Sequence, residues 1–125
     1  MNNYILELKD KDGNTKEVKL RLGSVDCIEI EKKTGVKLLD LMGDYSITTI
    51  VMLLKYMVRS SIPQFSEKEA CELYDELVDN GFDIEKILTD VVYEGLVSSG
   101  FLKHEELEEM KKVMLTPASK INKVK

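Results

Sequence analysis

An apolar helix, a proline break and a capped acidic helix follow one another between residues 46 and 77. Pro63 cannot donate a helical N–H, so the chain turns there. The run Ser66-Glu67-Lys68-Glu69 has the spacing of a capping box, and Asn80-Gly81 is a natural helix stop. Before the proline, a core helix is predicted from Ser46 to about Ser60, because its apolar side chains fall on one arc at about 100° per residue. They are Ile47, Ile50, Val51, Leu53, Leu54, Met57 and Val58.

Four further apolar side chains lie off the main stripes of the two most apolar helices. Met52 and Tyr56 stand one turn apart on the far side of the 46–60 helix. Tyr93 and Val97 repeat this arrangement in the helix that follows Asp83. Residues one turn apart share a helix face, so each pair forms a small second stripe. Packing under a neighbouring helix of the same chain explains such a stripe, and so does contact with another polypeptide. Under the second interpretation these four are candidate protein-binding residues.

Alternating apolar and polar residues on both sides of Asp12-Gly13-Asn14 predict a β-hairpin with strands near 3–9 and 16–22. Ile5 is the exception to the alternation. A lone hairpin is marginal in water, so its apolar face must lie on helices.

Helix signals fill most of the chain from residue 24 to residue 115. Ser24 is expected to cap a helix that ends near Gly35. A short apolar turn follows at 36–42, and Asp83 is expected to cap a helix whose stripe continues onto Gly95, where another backbone should approach closely. The last helix contains Leu107, Met110, Val113 and Met114.

The predicted fold class is therefore α+β, predominantly α-helical, with an N-terminal β-hairpin packed on a bundle of about five helices. The predicted domain organisation is a single globular domain over residues 1–115. Residues 116–125 contain too little apolar surface to fold alone and are expected to form a flexible basic tail.

Charge is unevenly distributed along the chain. Residues 66–109 carry 14 acidic and 3 basic side chains, whereas residues 110–125 carry 5 lysines and no acidic residue. The acidic block should repel phosphate backbones, so nucleic acid is not an expected partner. We predict instead that the tail lysines Lys120, Lys123 and Lys125 of one copy approach the acidic 66–109 surface of another. Salt would screen that attraction.

Few residues suit catalysis or metal binding. His104 is the only histidine, and with Glu108 it supplies only two potential ligands four residues apart. The cysteines Cys27 and Cys71 lack CxxC spacing, and no P-loop, HExxH or dinucleotide-binding pattern occurs. We expect a protein that is not an enzyme and takes no cofactor or metal. Two alternatives are an acid-dependent hydrolase using carboxylates within 83–109 and a DNA-binding helix-turn-helix within 66–98, whose second helix has the wrong charge for DNA.

The sequence also lacks membrane and export signals. No run approaches the roughly 20 apolar residues of a membrane span. The start MNNYILELKDKDG has neither the basic region nor the cleavage site of a signal peptide. These features lead us to expect a cytosolic protein without a membrane partner.

Two segments carry a resemblance to a known family. The order of a short hairpin, then LRLGSVDCIEIEKKTGVKLLDLM, then ITTIVMLLKYMVRSSIPQFSEKEACELYDEL resembles the tail assembly chaperones of long-tailed bacteriophages of Gram-positive hosts. The second segment is the more specific. Members of that family join an apolar helix to a proline-containing break and a Ser/Thr-Glu-rich helix start, as residues 50–77 do here. Residues 56–61 stand where the usual family pattern is alanine-rich and contains histidine, so no binding residue is transferred.

The resemblance implies a helper in phage morphogenesis that is absent from the mature virion. Such a protein coats the long helical tape measure protein, keeps it soluble in the bacterial host cytoplasm and helps recruit tail tube protein. In these families a ribosomal frameshift often gives a second, longer product. The resemblance also implies a homo-oligomer. The alternative is a small helical protein–protein adaptor or regulator of prophage origin without a tape measure client.

Overall fold

The computed structural model describes residues 3–41 and 46–114, which form an α+β, mainly helical fold. The predicted fold class is confirmed. The predicted tail at 116–125, with Lys120, Lys123 and Lys125, lies outside the described residues, so the domain division stays a prediction. The elements are β1 (Tyr4–Lys9), β2 (Thr15–Leu20), α1 (Ser24–Thr34), α2 (Leu38–Leu41), α3 (Ile47–Val58), α4 (Glu67–Asp79), α5 (Ile84–Ile87), a π-helical turn (Leu88–Val92), α6 (Tyr93–Ser98) and α7 (His104–Met114).

The N-terminal hairpin forms as its alternation predicts. Gly13 has a φ of 82° and lies in the connecting loop, where Asp10 Oδ1 accepts hydrogen bonds from the backbone N–H groups of Asp12 and Asn14. Ile5 lies on the opposite face of β1 from the buried Leu6 and Leu8 and is exposed, which explains its break in the pattern. Three cross-strand pairs form the inward face: Tyr4 with Leu20, Leu6 with Val18, and Leu8 with Lys16.

The second strand ends two residues earlier than predicted. Arg21 N–H donates to the carbonyl oxygen of Met57 at 3.1 Å. Leu22 N–H donates to the hydroxyl oxygen of Ser99 at 2.8 Å. Both amides therefore bond to other elements instead of β1, and they connect the hairpin to α3 and to the end of α6. Leu22 is buried although it lies outside the strand, which explains why the apolar alternation in the sequence extends beyond Leu20.

Helix α1 begins one residue before its predicted start. Gly23 is the N-cap, and its N–H donates to Asp26 Oδ2 at 3.0 Å. Ser24 is already helical, so the prediction that it caps the helix is wrong. The Asp26 carboxylate supplies the polar partner that the N-terminus requires. Gly35, at a φ of 73°, ends the helix as expected.

Helix α3 is the central element of the fold. Ser46 Oγ accepts a hydrogen bond from Thr49 N–H at its start. The helix packs against α4, β2 and the π-helical turn. Contact on several sides buries most of its length, including every residue from Thr49 to Leu54 and from Tyr56 to Val58. A helix that is apolar nearly all round is expected at such a position.

The capping box of α4 is confirmed. Ser66 Oγ accepts from Glu69 N–H, and Glu69 Oε1 accepts from Ser66 N–H, each at 3.1 Å. The helix is followed by Asn80 and by Gly81, which has a φ of 91°. The Asn80 side chain accepts from Lys9 N–H at 2.9 Å and donates to the Lys9 carbonyl at 3.0 Å. The end of α4 is therefore fixed to the end of β1.

The predicted helix from Asp83 onward contains a wider turn. Asp83 Oδ1 accepts from Lys86 N–H, as predicted for a cap. The chain then passes through α5, the π-helical turn and α6 without an intervening loop. A Cβ on Gly95 would lie 3.0 Å from Met57 Sδ and 3.7 Å from Leu20 Cβ. The close neighbours of Gly95 are thus side chains, and the prediction of a neighbouring backbone is wrong.

Candidate protein-binding site

The predicted contact residues lie inside the fold. Met52, Tyr56 and Tyr93 are 9%, 5% and 1% exposed, and Val97 is half-buried against the core. These four side chains therefore offer little exposed surface for contact with another polypeptide. The physical reason is that helices α3 and α6 are covered on more than one side, which turns their second stripes into core. Of the two interpretations of these stripes, packing within the chain describes this structure.

A groove of about 910 Å³ lies between the hairpin and α4. We call it the β2–α4 groove. Its walls come from β2, from the end of α3 and the loop after it, and from one side of α4. Apolar side chains in the lining are Val18, Val58, Ile62, Phe65 and Leu73. Binding sites for peptides commonly combine such an apolar lining with polar walls.

The two long walls of the groove carry opposite charge. The hairpin contributes Lys9, Lys11, Lys16 and Lys19, together with Asp10 and Glu17. The α4 wall contributes Glu69, Glu72, Asp75, Glu76 and Asp79. Lys16 Nζ and Glu76 Oε1 are 2.6 Å apart and connect the walls. Seven acidic against four basic side chains line the groove, so its net charge favours a basic occupant.

Three of the five α4 carboxylates that line the groove are not used by contacts within the described residues. Glu69 is used by the capping box, and Glu76 is paired with Lys16. Within the part of the chain that the structure describes, Glu72, Asp75 and Asp79 form no ion pair, and all three are exposed. These carboxylates can therefore pair with cationic groups from another molecule without first breaking a contact.

A second surface is apolar and lies on α1 and α2. Four of the eight large apolar side chains that are exposed among the described residues lie between residues 25 and 39, and we call them the α1–α2 apolar face: Val25, Ile28, Val36 and Leu39. The opposite side of α1 faces the core, where Ile30 is fully buried and Cys27 packs against the cluster. Helix α1 thus has apolar side chains on two sides. Such exposed apolar groups mark contact sites more often when they cluster than when they are scattered.

The spacing of apolar residues in the sequence also indicates this face. Val25 and Ile28 are three residues apart, as are Cys27 and Ile30, and the two pairs point to different sides of one helix. One pair packs inward, and the other remains outside. Helix α3 has the same two-sided pattern, but both of its sides are buried.

Several titratable groups outside the groove have contacts within the fold. His104 Nε2 lies 3.6 Å from Glu108 Oε1, with both side chains exposed. Burial, assisted by Asp26 and Glu31, raises the pKa of the Cys27 thiol to about 11. Burial also raises the pKa of Tyr4, with Glu94 and Asp90 adding to the shift. The Tyr4 hydroxyl donates to the carbonyl oxygen of Asp90 at 2.8 Å, which is a structural use of that group.

Within the described ranges 3–41 and 46–114, no group of three or more His, Cys, Asp or Glu side chains could hold a metal ion. None of the helices described there combines the length and apolar content that crossing a bilayer requires.

Comparison of the chain with protein-family models, with curated proteins and with solved structures finds no match.

Proposed function

We propose that this protein is a non-catalytic tail assembly chaperone of a long-tailed bacteriophage or prophage. It binds the tape measure protein, keeps that protein soluble and helps recruit tail tube subunits. The observation that carries the proposal is the α1–α2 apolar face, which leaves four large apolar side chains in solvent within a stretch of 15 residues. The resemblance of residues 4–115 to tail assembly chaperones supplies the client.

The apolar face suits a helical client. A tape measure protein is long and helical, and an unassembled helix of that kind exposes apolar stripes that would otherwise aggregate. An apolar helix face can lie against another apolar helix, with anchors spaced one turn apart. Val25 and Ile28 on α1 have that spacing. Full burial of one such side chain contributes about 1.5–3 kcal/mol before the cost of ordering is subtracted, so a few anchors are enough for useful affinity.

The place of action follows from the client. The protein binds the tape measure protein in the host cytoplasm as that protein is made, and it leaves before the virion is complete. Tail tube subunits are recruited to the complex, either by this chain or by a longer frameshifted form of it. None of these steps requires a reacting group on the chaperone.

Co-expression with the tape measure protein of the same gene cluster tests the proposal. The wild-type chain should move the tape measure protein into the soluble fraction and co-purify with it. The double variant Ile28→Lys/Leu39→Lys should lose both effects, because it places charge on the apolar face. Its fold should be retained, since both positions are exposed.

The hairpin provides a matched control. Ile5 is 49% exposed and Ile28 is 51% exposed, but Ile5 lies on the outer face of β1. Ile5→Lys should therefore solubilise the tape measure protein as well as the wild type does. A wild-type chain that neither solubilises nor retains the tape measure protein would reject the function and leave the adaptor or regulator without that client as the better interpretation.

A further inference from the structure

We propose that the outer edge of β2 binds residues 116–125 of a second copy of this chain as an added β-strand. The contact would join two copies through the β2–α4 groove. It is independent of the tape measure protein, so it can hold or fail whatever the outcome for the proposed function.

The hairpin register shows which backbone groups of β2 are free. Residues of an antiparallel pair alternate between those bonded to the partner strand and those pointing away from it. Lys9 bonds outward to the Asn80 side chain, and Lys9 is paired with Thr15. Arg21, six residues after Thr15, bonds outward to Met57. The outward set on β2 is therefore Thr15, Glu17, Lys19 and Arg21.

Two members of that set carry unused hydrogen-bonding groups. The backbone N–H and C=O groups of Glu17 and Lys19 have no partner in the described part of the chain. A row of such groups on a strand edge is a template for another strand. Arg21 already donates to α3, so that helix marks the end of the available edge.

The free edge lies in the β2–α4 groove. Residues 16–19 of β2 line the groove together with the end of α3, the loop at 61–65 and α4. A strand added to β2 would continue the hairpin sheet over Phe65 and Leu73. Its side chains would alternate between that apolar lining and solvent. The groove thus offers backbone pairing and side-chain burial to the same extended segment.

The chemistry of residues 116–125 fits this site. The segment contains Lys120, Lys123 and Lys125, has no acidic residue, and includes Ile121 and Val124. Its lysines complement the unpaired carboxylates of α4, while an apolar side chain can rest on the groove lining. A strand needs only about five or six residues, which the segment provides after its proline.

The position of α7 favours delivery of the segment by a second copy. Lys111 Nζ, near the end of α7, lies 3.5 Å from Glu94 Oε1 and 3.9 Å from Asp90 Oδ1. The Asp90 carbonyl accepts from the Tyr4 hydroxyl, and Tyr4 is paired with Leu20, so this part of α7 lies near the Leu20 end of the hairpin. A segment of the same molecule would approach the free edge from that end, where Arg21 is bonded to α3. A segment of a second copy can approach from the other end of β2, at the hairpin loop.

Sedimentation of the full chain over a range of concentrations tests the contact. The wild type should self-associate, and association should weaken between low and high salt because exposed charge pairs are screened. Glu17→Pro removes an outward N–H and should weaken association roughly tenfold or more. The matched variant Glu7→Pro alters the opposite edge, on β1, and should change association less than roughly twofold. Circular dichroism should show that both variants are folded.

A second pair of variants tests the charge. Glu72→Gln/Asp75→Asn neutralises two carboxylates in the groove and should weaken association. Glu105→Gln/Glu109→Gln removes the same charge from exposed positions on α7 and should have little effect. Equal losses from the two double variants would reject the groove as the site.

Mixing two defective chains is the decisive step. A chain with Lys120→Glu/Lys123→Glu/Lys125→Glu has an intact groove, while the Glu17→Pro chain has an intact segment. Each should be monomeric alone at a concentration where the wild type associates. Their mixture should form a one-to-one complex, because one intact contact is restored. A wild-type chain that stays monomeric, or a mixture that forms no complex, would overturn the proposal.

Discussion

At the residue scale, a single hydroxyl group connects two segments that are distant in the sequence. Ser99 Oγ accepts from Leu22 N–H and donates to the Gly95 carbonyl, each at 2.8 Å. Ser99 is one of the few buried polar residues among the described positions. It therefore joins the segment after β2 to the last turn of α6 where water does not replace it.

Replacing Ser99 with alanine should lower the free energy of unfolding by about 1–3 kcal/mol, because the buried Leu22 N–H loses its acceptor. Urea denaturation would measure the change. Ser98→Ala is the control, since Ser98 is less buried and makes no such bond; its effect should stay within about 0.5 kcal/mol. Equal losses in the two variants would show that the Ser99 hydrogen bonds do not stabilise the fold.

The two cysteines should differ in reactivity. The thiolate is the reactive form, and the pKa of Cys27 is raised to about 11 by burial and by Asp26 and Glu31. At pH 8, iodoacetamide should modify the exposed Cys71 first. From pH 8 to pH 10 the alkylation rate of Cys27 should rise about 100-fold, because below the pKa each pH unit gives roughly tenfold more thiolate.

Peptide mapping by mass spectrometry at several pH values would give both rates. The alkylation rate of a thiol with the ordinary pKa of about 9 would rise only about tenfold over the same interval, because its titration is largely complete by pH 10. A gain of that size for Cys27 would contradict the elevated pKa.

At the element scale, helix ends give the clearest test of local interactions. Ser66→Ala removes a cap from α4 and should destabilise the protein by about 1 kcal/mol. Ser24→Ala is the control, because Ser24 is exposed and Gly23 takes the cap position of α1. Thermal unfolding of both variants would compare them. A larger loss from Ser24→Ala would contradict the cap assignments.

Features that depend on neighbouring residues could be predicted from the sequence. The hairpin loop at Gly13, the box at Ser66 and the cap at Asp83 are each set by residues within about four positions. Their physical causes are therefore visible in the sequence alone. The early end of β2 could not be predicted in this way. Arg21 and Leu22 form hydrogen bonds with Met57 on α3 and Ser99 at the end of α6, which are distant in the sequence.

Whether the second stripes of α3 and α6 are buried could not be predicted without the topology of the fold. Met52 and Tyr56 have the spacing of a contact patch whether the covering helix belongs to the same chain or to another. Only the arrangement around α3 decides between the two. The same limit applies to α1, where apolar pairs on two sides gave no indication of which pair stays outside. The groove also combines β2 with α4, which are distant in sequence.

At the scale of the whole molecule, the two binding surfaces differ in chemistry. The α1–α2 apolar face offers exposed side chains to a helix. The β2–α4 groove offers a strand edge and carboxylates to an extended basic segment. High salt should weaken self-association through the groove and should leave binding at the apolar face intact, because screening acts on charges while salt does not weaken apolar burial. Pull-down and sedimentation at matched salt concentrations would separate the two effects.

Hydrogen exchange of the chain, free and in complex with the tape measure protein, most directly tests the assignment of the client to the α1–α2 apolar face. Bound client should slow exchange at backbone amides of residues 24–41, because contact covers that surface and suppresses its local opening. Amides of β1 should exchange at the same rate in both states. Unchanged exchange over 24–41, with protection elsewhere, would contradict the assignment.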